Sequence, residues 1–211
     1  MSLSTISISL KKSIKIVLIS SILFLASSTL YGKWYSVSTS DTPKPIDVSV
    51  VKSDIESTIL KVTVFGFESE KISIDDREFS TISIPDLSTT DQKGLPEVPR
   101  FSKNILIPAN STPSVHVIDY KMTSYDLGAI APSKGVIMRD VNPNDISYTF
   151  SSFYSSDQTF PSEFVKISSP FTLRNTHGVT VEILPIQYNH MLNQTNVFIL
   201  AAFKADRIVR Q

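Results

Sequence analysis

Leu60-Lys61-Val62-Thr63-Val64-Phe65-Gly66-Phe67 is the stretch that decides the fold class. Apolar Leu60, Val62 and Val64 alternate with polar Lys61 and Thr63, a period of two rather than 3.6. Successive side chains on a strand point to opposite faces, so this spacing predicts a strand with one face buried. The same pattern recurs at Ile72/Ile74, Ile82/Ile84, Ile105/Ile107, Val115/Val117, Val179/Val181/Ile183 and Val197/Ile199. The residues are mostly β-branched, which suits a pleated, half-buried surface. Turn formers punctuate the runs: Pro85-Asp86, Lys93-Gly94, Pro108-Ala109-Asn110, Asn142-Pro143-Asn144, His177-Gly178 and Asn189-His190. No sustained helical stripe follows residue 28. The expected architecture is all-β, an antiparallel sandwich or barrel-like single domain over residues 58–205. Pro170 and Pro185 are expected at strand starts, bulges or edges. Residues 29–57, with Pro43 close to Pro45, read as a loose leader or first edge strand, and 206–211 as the start of a linker.

The N-terminus has a different character. Lys11, Lys12 and Lys15 precede the apolar run Ile16–Leu25, and the small residues Ala26, Ser27 and Ser28 follow. Basic, apolar, small is the order of a secretory signal peptide, with Ala26 and Ser28 in the two small positions before a cut. Ten apolar-rich residues are short for a bilayer span. Residues 1–28 are therefore expected to direct export and be removed, leaving no stable membrane span and a secreted or extracytoplasmic product. Removal takes three of the twenty basic residues and none of the twenty acids, leaving 17 against 20, a net charge of −3.

Composition narrows function further. Of 211 residues, 41% are hydrophobic and 19% charged, which suits a globular domain. Balanced charge gives no field directed at nucleic acid. Cysteine is absent, which excludes disulfides, a thiolate nucleophile and cysteine-ligated zinc on this chain. An exported core of about 180 residues has enough apolar surface to hold without such staples. The three histidines, His116, His177 and His190, lie at no metal-ligand spacing, so no metal site, no cofactor and no catalytic residue is assigned. Asp75-Asp76 with Glu68 and Glu70 read as solvated turn charges, since no glycine-containing calcium loop surrounds them. His177-Gly178 reads as a hairpin turn between Phe171–Leu173 and Val179–Val181. Asn110-Ser111-Thr112 and Asn193-Gln194-Thr195 have the form of glycosylation sequons. Trp34-Tyr35 near the processed end reads as a small sticky patch or as nothing.

Ile130-Ala131-Pro132-Ser133-Lys134-Gly135-Val136-Ile137-Met138-Arg139-Asp140-Val141-Asn142-Pro143 stands apart. Two prolines bound it, and an arginine follows three apolar residues. One long cation on an extended segment is what a protease of basic specificity accepts. An ordinary strand and turn with a surface arginine has the same sequence form.

This stretch resembles the N-terminal propeptide of gingipain-type cysteine peptidases, caspase-like enzymes that cut after Arg or Lys. Ala131 to Ile137, then Arg139, then Asn142-Pro143 are similar to that family in order. So are Lys93-Gly94-Leu95-Pro96, Pro99 and Ser102-Lys103 upstream. Downstream, Asn144–Tyr148, Phe160–Glu163, Ser169–Arg174 and Pro185–Asn189 continue the likeness, which covers roughly 90–205 and more loosely 58–90. The resemblance implies an all-β module that assists folding of a caspase-like catalytic domain and keeps it latent. It also implies a loop that offers a basic residue to the peptidase pocket. Arg139 matches that basic residue, with Met138, Asp140, Lys134 and Gly135 around it. Met138 and Asp140 depart from the small neighbours the family pattern implies. The implied partner is a gingipain-like catalytic domain, in cis or in trans, so the chain reads as a precursor fragment or a free-standing prodomain. The rival reading is a stand-alone β-sandwich that binds a surface glycan or protein through Tyr148, Phe150, Phe153 and Tyr154. A hydrolase in its own right is the second rival.

If residues 1–28 are an export signal, N-terminal sequencing of secreted material will begin near Thr29. Exported protein that retains Lys11 to Lys15 would overturn the assignment.

Overall fold

In a computed structural model the described residues are 32–38 and 41–209, with side chains described to Asp206. The signal-peptide reading of residues 1–28 falls outside them. Among the described residues fourteen strands run in chain order. The first seven are β1 (Lys33–Ser36), β2 (Asp47–Ser53), β3 (Ser57–Thr63), β4 (Gly66–Ile74), β5 (Arg77–Ser83), β6 (Ser88–Thr89) and β7 (Pro99–Leu106). The rest are β8 (Ser111–Tyr125), β9 (Thr159–Phe160), β10 (Val165–Ile167), β11 (Phe171–Leu173), β12 (Thr176–Ile183), β13 (Ile186–Asn189) and β14 (Gln194–Val209). Among the described residues the helical elements are two 3-10 turns, Pro143–Asp145 and Ser152–Ser155. No helix there is long and apolar enough to cross a membrane. The all-β expectation is met.

The strands form three antiparallel sheets. One is ordered β2-β3-β14-β13-β9, with β8 on the free side of β14. The second is β10-β12-β7-β6, with β11 on β12. The third is β1-β4-β5. Residues 33–57 thus supply β1 and β2, each at the end of its sheet.

The alternation read from sequence sets the first core. Leu60 and Val62 of β3, with Ala201, Phe203 and Ala205 of β14, face Ile105 of β7, Val165 of β10 and Val179, Val181 and Ile183 of β12. Each is buried, while Lys61 faces water. These two sheets pack as the layers of a sandwich. The second core gathers Val64, Phe67, Ile82, Val98, Ile130, Phe153, Ile186, Tyr188 and Val197. β14 feeds both cores, and register shifts near Ile199 and at Ala202/Phe203 bend it between them. The strand runs on to Val209, past the residue 205 boundary expected from sequence. Pro170 precedes β11 and Pro185 sits between β12 and β13, at strand ends.

His177-Gly178 is not a turn. The β11–β12 hairpin turns at Arg174-Asn175, with Arg174 at φ 56°, and His177 pairs with Thr172 inside β12. Gly178 serves another purpose. A Cβ there would lie 2.7 Å from Cζ of Phe171, whose ring occupies the space over the glycine. Asp75-Asp76 do form a two-residue turn, between β4 and β5, with φ of 50° and 60°.

Gly66 has a similar cause. A Cβ there would lie 2.2 Å from Cζ2 of Trp34 and 2.6 Å from the Tyr35 carbonyl oxygen. The Trp34-Tyr35 pair is therefore part of the packing: the indole lies over Gly66, and the Tyr35 ring stacks on Phe67 at 5.0 Å. Gly66→Ala should cost about 1–3 kcal/mol through overpacking. In urea denaturation the loss should shrink on a Trp34→Ala background, because the clashing ring is gone. An additive double mutant would place the cost in the backbone instead.

Candidate functional site: the loop carrying Arg139

The arginine-bearing loop grows from a buried base. Residues 129–133 run as an extended segment between β5 and the Gly94–Glu97 stretch. On one side the Ser80 N–H donates to the Ala129 carbonyl (2.7 Å), and the Ala131 N–H donates to the Ser80 carbonyl (2.9 Å). On the other, the Glu97 N–H donates to Ala131 O (2.9 Å), Ser133 N–H to Leu95 O (2.8 Å) and Gly94 N–H to Ser133 O (2.9 Å). Ile130, Ala131 and Ser133 are buried, so these backbone groups need such partners.

Both feet of the loop stand on Gly94. The outgoing chain leaves it at Ser133, and the returning chain donates from Ser151 N–H to Gly94 O (3.0 Å). Gly94 sits at φ +81°, in the left-handed region, and a Cβ there would come within 3.2 Å of the Ser151 nitrogen. Gly135 repeats the requirement at φ +86°, with a Cβ position 3.1 Å from Cβ of Lys93. Sequence reading marked Lys93-Gly94 as a turn; its role as the common footing of the loop leaves no periodic trace.

Lys134 fastens the neck. Its Nζ donates to the Pro143 carbonyl at 2.8 Å and lies 4.5 Å from the centroid of the Tyr148 ring. One side chain thus spans from the start of the loop to its end. Burial and the Glu97 carboxylate hold the Tyr148 hydroxyl above its usual pKa, so the ring under this cation stays neutral.

At the far end the Val141 N–H donates to the Met138 carbonyl at 3.1 Å, closing a turn with Arg139 and Asp140 at its two central positions. Met138, Arg139 and Asp140 are exposed. Among the described residues Arg139 has no ion-pair partner. Asn142 caps the following 3-10 turn, its Oδ1 accepting from Asn144 N–H at 3.0 Å. The structure therefore brings Met138, Arg139 and Asp140 together at one tip. It places Lys134 and Gly135 at the neck.

Of the aromatics of the rival reading, Phe153 is buried and Tyr148, Phe150 and Tyr154 are half-buried. Phe153 is buried in the second core, and the Tyr154 hydroxyl donates to the Ile130 carbonyl at 2.7 Å. Tyr148 and Phe150 pack with Tyr154 against Ile74, Phe79 and Ala131. Among the described residues no group of three or more His, Cys, Asp or Glu is placed to hold a metal ion.

With this geometry in place, likeness to known proteins can be stated. The family model Propeptide_C25 matches residues 39–200. Gingipain R2 of Porphyromonas gingivalis is 35% identical over 107 residues, which are 51% of this chain and 14% of that protein. Lys-gingipain of the same organism is 25% identical over 155 residues, 68% of this chain and 9% of that protein. The chain thus spans a small fraction of the length of these relatives. Two solved structures share the fold. One is the complex of Porphyromonas gingivalis RgpB pro- and mature domains, with a TM-score of 0.72 at 24% identity over 76% of this chain and 84% of that one. The other concerns zymogenic latency of gingipain K from the same organism, with a TM-score of 0.67 at 18% identity over 84% of this chain and 100% of that one.

The neck geometry yields an expectation independent of any partner. Lys134→Met removes the Pro143 hydrogen bond and the cation over Tyr148. Exposed contacts of this kind contribute under about 1 kcal/mol, so the denaturation midpoint should barely move. Amide hydrogen exchange across 136–142 should accelerate several-fold. Unchanged exchange would show that the backbone feet alone hold the loop.

Proposed function

The chain belongs to the C25 propeptide family, and from that premise we propose that it keeps a caspase-like cysteine endopeptidase latent and assists its folding. Arg139 is the residue that enters the peptidase's primary pocket. The supporting observation is the Met138–Val141 turn, which presents an uncommitted guanidinium at the tip of a loop whose two feet share Gly94.

The physical advantages are specific. A loop held at its feet and neck loses little conformational freedom on binding, so less interaction energy is spent on ordering. Arg139 breaks no ion pair to enter a pocket. Its planar fork suits a bidentate contact with a carboxylate. Peptidases bind substrates as extended chains. The hydrogen-bonded turn across Arg139-Asp140 opposes that extension, which favours occupation of the pocket over cleavage. Met138 and Asp140 contact the pocket rim beside it. Lys134 and Gly135 act at one remove, by fixing where the tip stands.

In this reading peptide-bond hydrolysis belongs to the partner, a gingipain-like catalytic domain in cis or in trans. Export by residues 1–28 delivers the pair outside the cytoplasm. The glycan-binding alternative has less support, because Phe153 is buried and Tyr148, Phe150 and Tyr154 are half-buried against Ile74, Phe79 and Ala131 and form no exposed platform.

The test is the inhibition constant of wild-type and variant chains against the cognate peptidase. Arg139→Ala leaves an acidic pocket group buried and unpaired, so inhibition should weaken by about 2–5 kcal/mol. Binding should persist through the rest of the interface. Arg139→Lys should lose less if the pocket accepts lysine, and nearly as much if it needs the fork. Equal constants for wild type and Arg139→Ala would remove Arg139 from the mechanism.

A further inference from the structure

A second concavity, which uses none of the loop residues 134–143, lies where β5 meets the segment after Phe150. This cleft of about 530 Å³ is lined by Arg77, Phe79, Phe150, Tyr154 and His190, among others. Its size falls in the range of small-molecule sites, and the rings of Phe79, Phe150 and Tyr154 supply its apolar wall.

Its charge is unbalanced. The Arg77 guanidinium lies over the Phe79 and Phe150 rings, 5.6 and 5.1 Å from their centroids. No carboxylate pairs with it among the described residues. Glu78 also lines the cleft, but its carboxylate is bound by Lys71 at 2.9 Å. Lys71 in turn donates to the Leu127 carbonyl at 3.0 Å. Arg77 is left as the uncompensated charge, preoriented by two rings.

The other polar lining groups are His190 and the serines Ser151, Ser152 and Ser155. His190 Nδ1 is hydrogen-bonded to the Tyr188 hydroxyl at 2.8 Å, and its ring meets Tyr154 edge to face at 5.2 Å. Burial and the nearby Arg77 hold His190 below its ordinary pKa, so it is neutral at pH 7 and adds no charge to the cleft. Ser151, another lining residue, has a buried Oγ with no hydrogen-bond partner among the described residues.

We propose that this cleft binds a carboxylate carried on an apolar body, with the carboxylate on the Arg77 fork and the apolar part against Phe150 and Tyr154. A single guanidinium matches a planar monoanion bidentately. A phosphate dianion would need a second cation, and the nearby Lys71 is already paired with Glu78. The carboxylate can come from a free small acid or from the C-terminus of a peptide chain.

The test follows the His190 ring resonances of the full chain by NMR during titration. The probes are phenylacetate, phenylacetamide, the peptide acetyl-Gly-Gly-Phe with a free C-terminus, and its C-terminal amide. A bound carboxylate offsets Arg77, so it should shift the His190 signals saturably and raise the histidine pKa. Each amide should bind more than about tenfold more weakly than its acid, the loss expected for a charged hydrogen bond. Arg77→Met, which keeps an apolar stem over the rings, should impose a similar loss on the acids. Binding of phenylacetate alone identifies a free acid as the ligand; binding of the peptide acid identifies a chain terminus. Failure of both acids, amides equal to acids, or acid binding unaffected by Arg77→Met would each overturn the site. Arg139→Ala should leave phenylacetate binding intact, so failure of the cleft is distinguishable from failure of the inhibitory loop.

Discussion

The structure depends on one buried backbone ladder, the course of residues 129–133 between Ser80 and Gly94–Glu97. Five N–H donors and five carbonyls are exchanged there by the bonds of Ser80, Ala131, Glu97, Ser133 and Gly94. The ladder delivers Ile130 to the second core and Ala131 to the cluster around Ile74 and Phe79. The Ser80 hydroxyl adds a hydrogen bond to the Leu127 carbonyl, and the Tyr154 hydroxyl one to Ile130. Without this segment the β4–β5 hairpin and the Gly94 turn would each face a row of unpaired backbone groups, which is costly inside a protein. The same bonds set the direction in which the Arg139 loop departs.

How much of this was readable in the sequence follows from what kind of signal each feature leaves. The sandwich was legible because burial on one face imposes a period of two on Leu60/Val62 and Val179/Val181. The prolines and arginine of the loop have the sequence form of an ordinary strand and turn as well, and its reading as a loop rests on the family resemblance. The loop's footing was not legible, because backbone-to-backbone bonds place no demand on side-chain identity beyond Gly94 and Gly135. Those glycines look like any turn glycine in a linear chain. Gly178 shows the converse. It was read as a turn residue, yet it lies mid-strand to make room for Phe171. Glycine marks either a backbone angle or a close neighbour, and only the fold distinguishes the two.

The aromatic run after the loop was ambiguous for a related reason. Tyr148, Phe150, Phe153 and Tyr154 have the composition of a binding platform and equally that of a core. The decision rests on Ile74, Phe79 and Ala131, contributed by distant parts of the chain, against which three of the four pack. Lys134 lies near Arg139 in the segment that matches the family pattern. In the fold the Lys134 ammonium is committed to Pro143 and Tyr148, whereas the Arg139 guanidinium has no ion-pair partner among the described residues.

Constraint is therefore graded along the loop. At the feet, Gly94 holds a backbone angle and an approach that a larger residue would strain, as Gly135 does at the neck, and Ser133 is buried. At the neck, Lys134 makes two contacts that a shorter or neutral side chain loses. At the tip, Met138 is 66% exposed and the hydrogen bond that closes the turn runs from backbone to backbone. Side chains there are free to vary without cost to the module. This accounts physically for Met138 and Asp140 standing where the family pattern implies small residues: nothing within the β domain selects against them. Whatever selects the tip residues must come from outside the domain, through the surface against which Arg139 is presented.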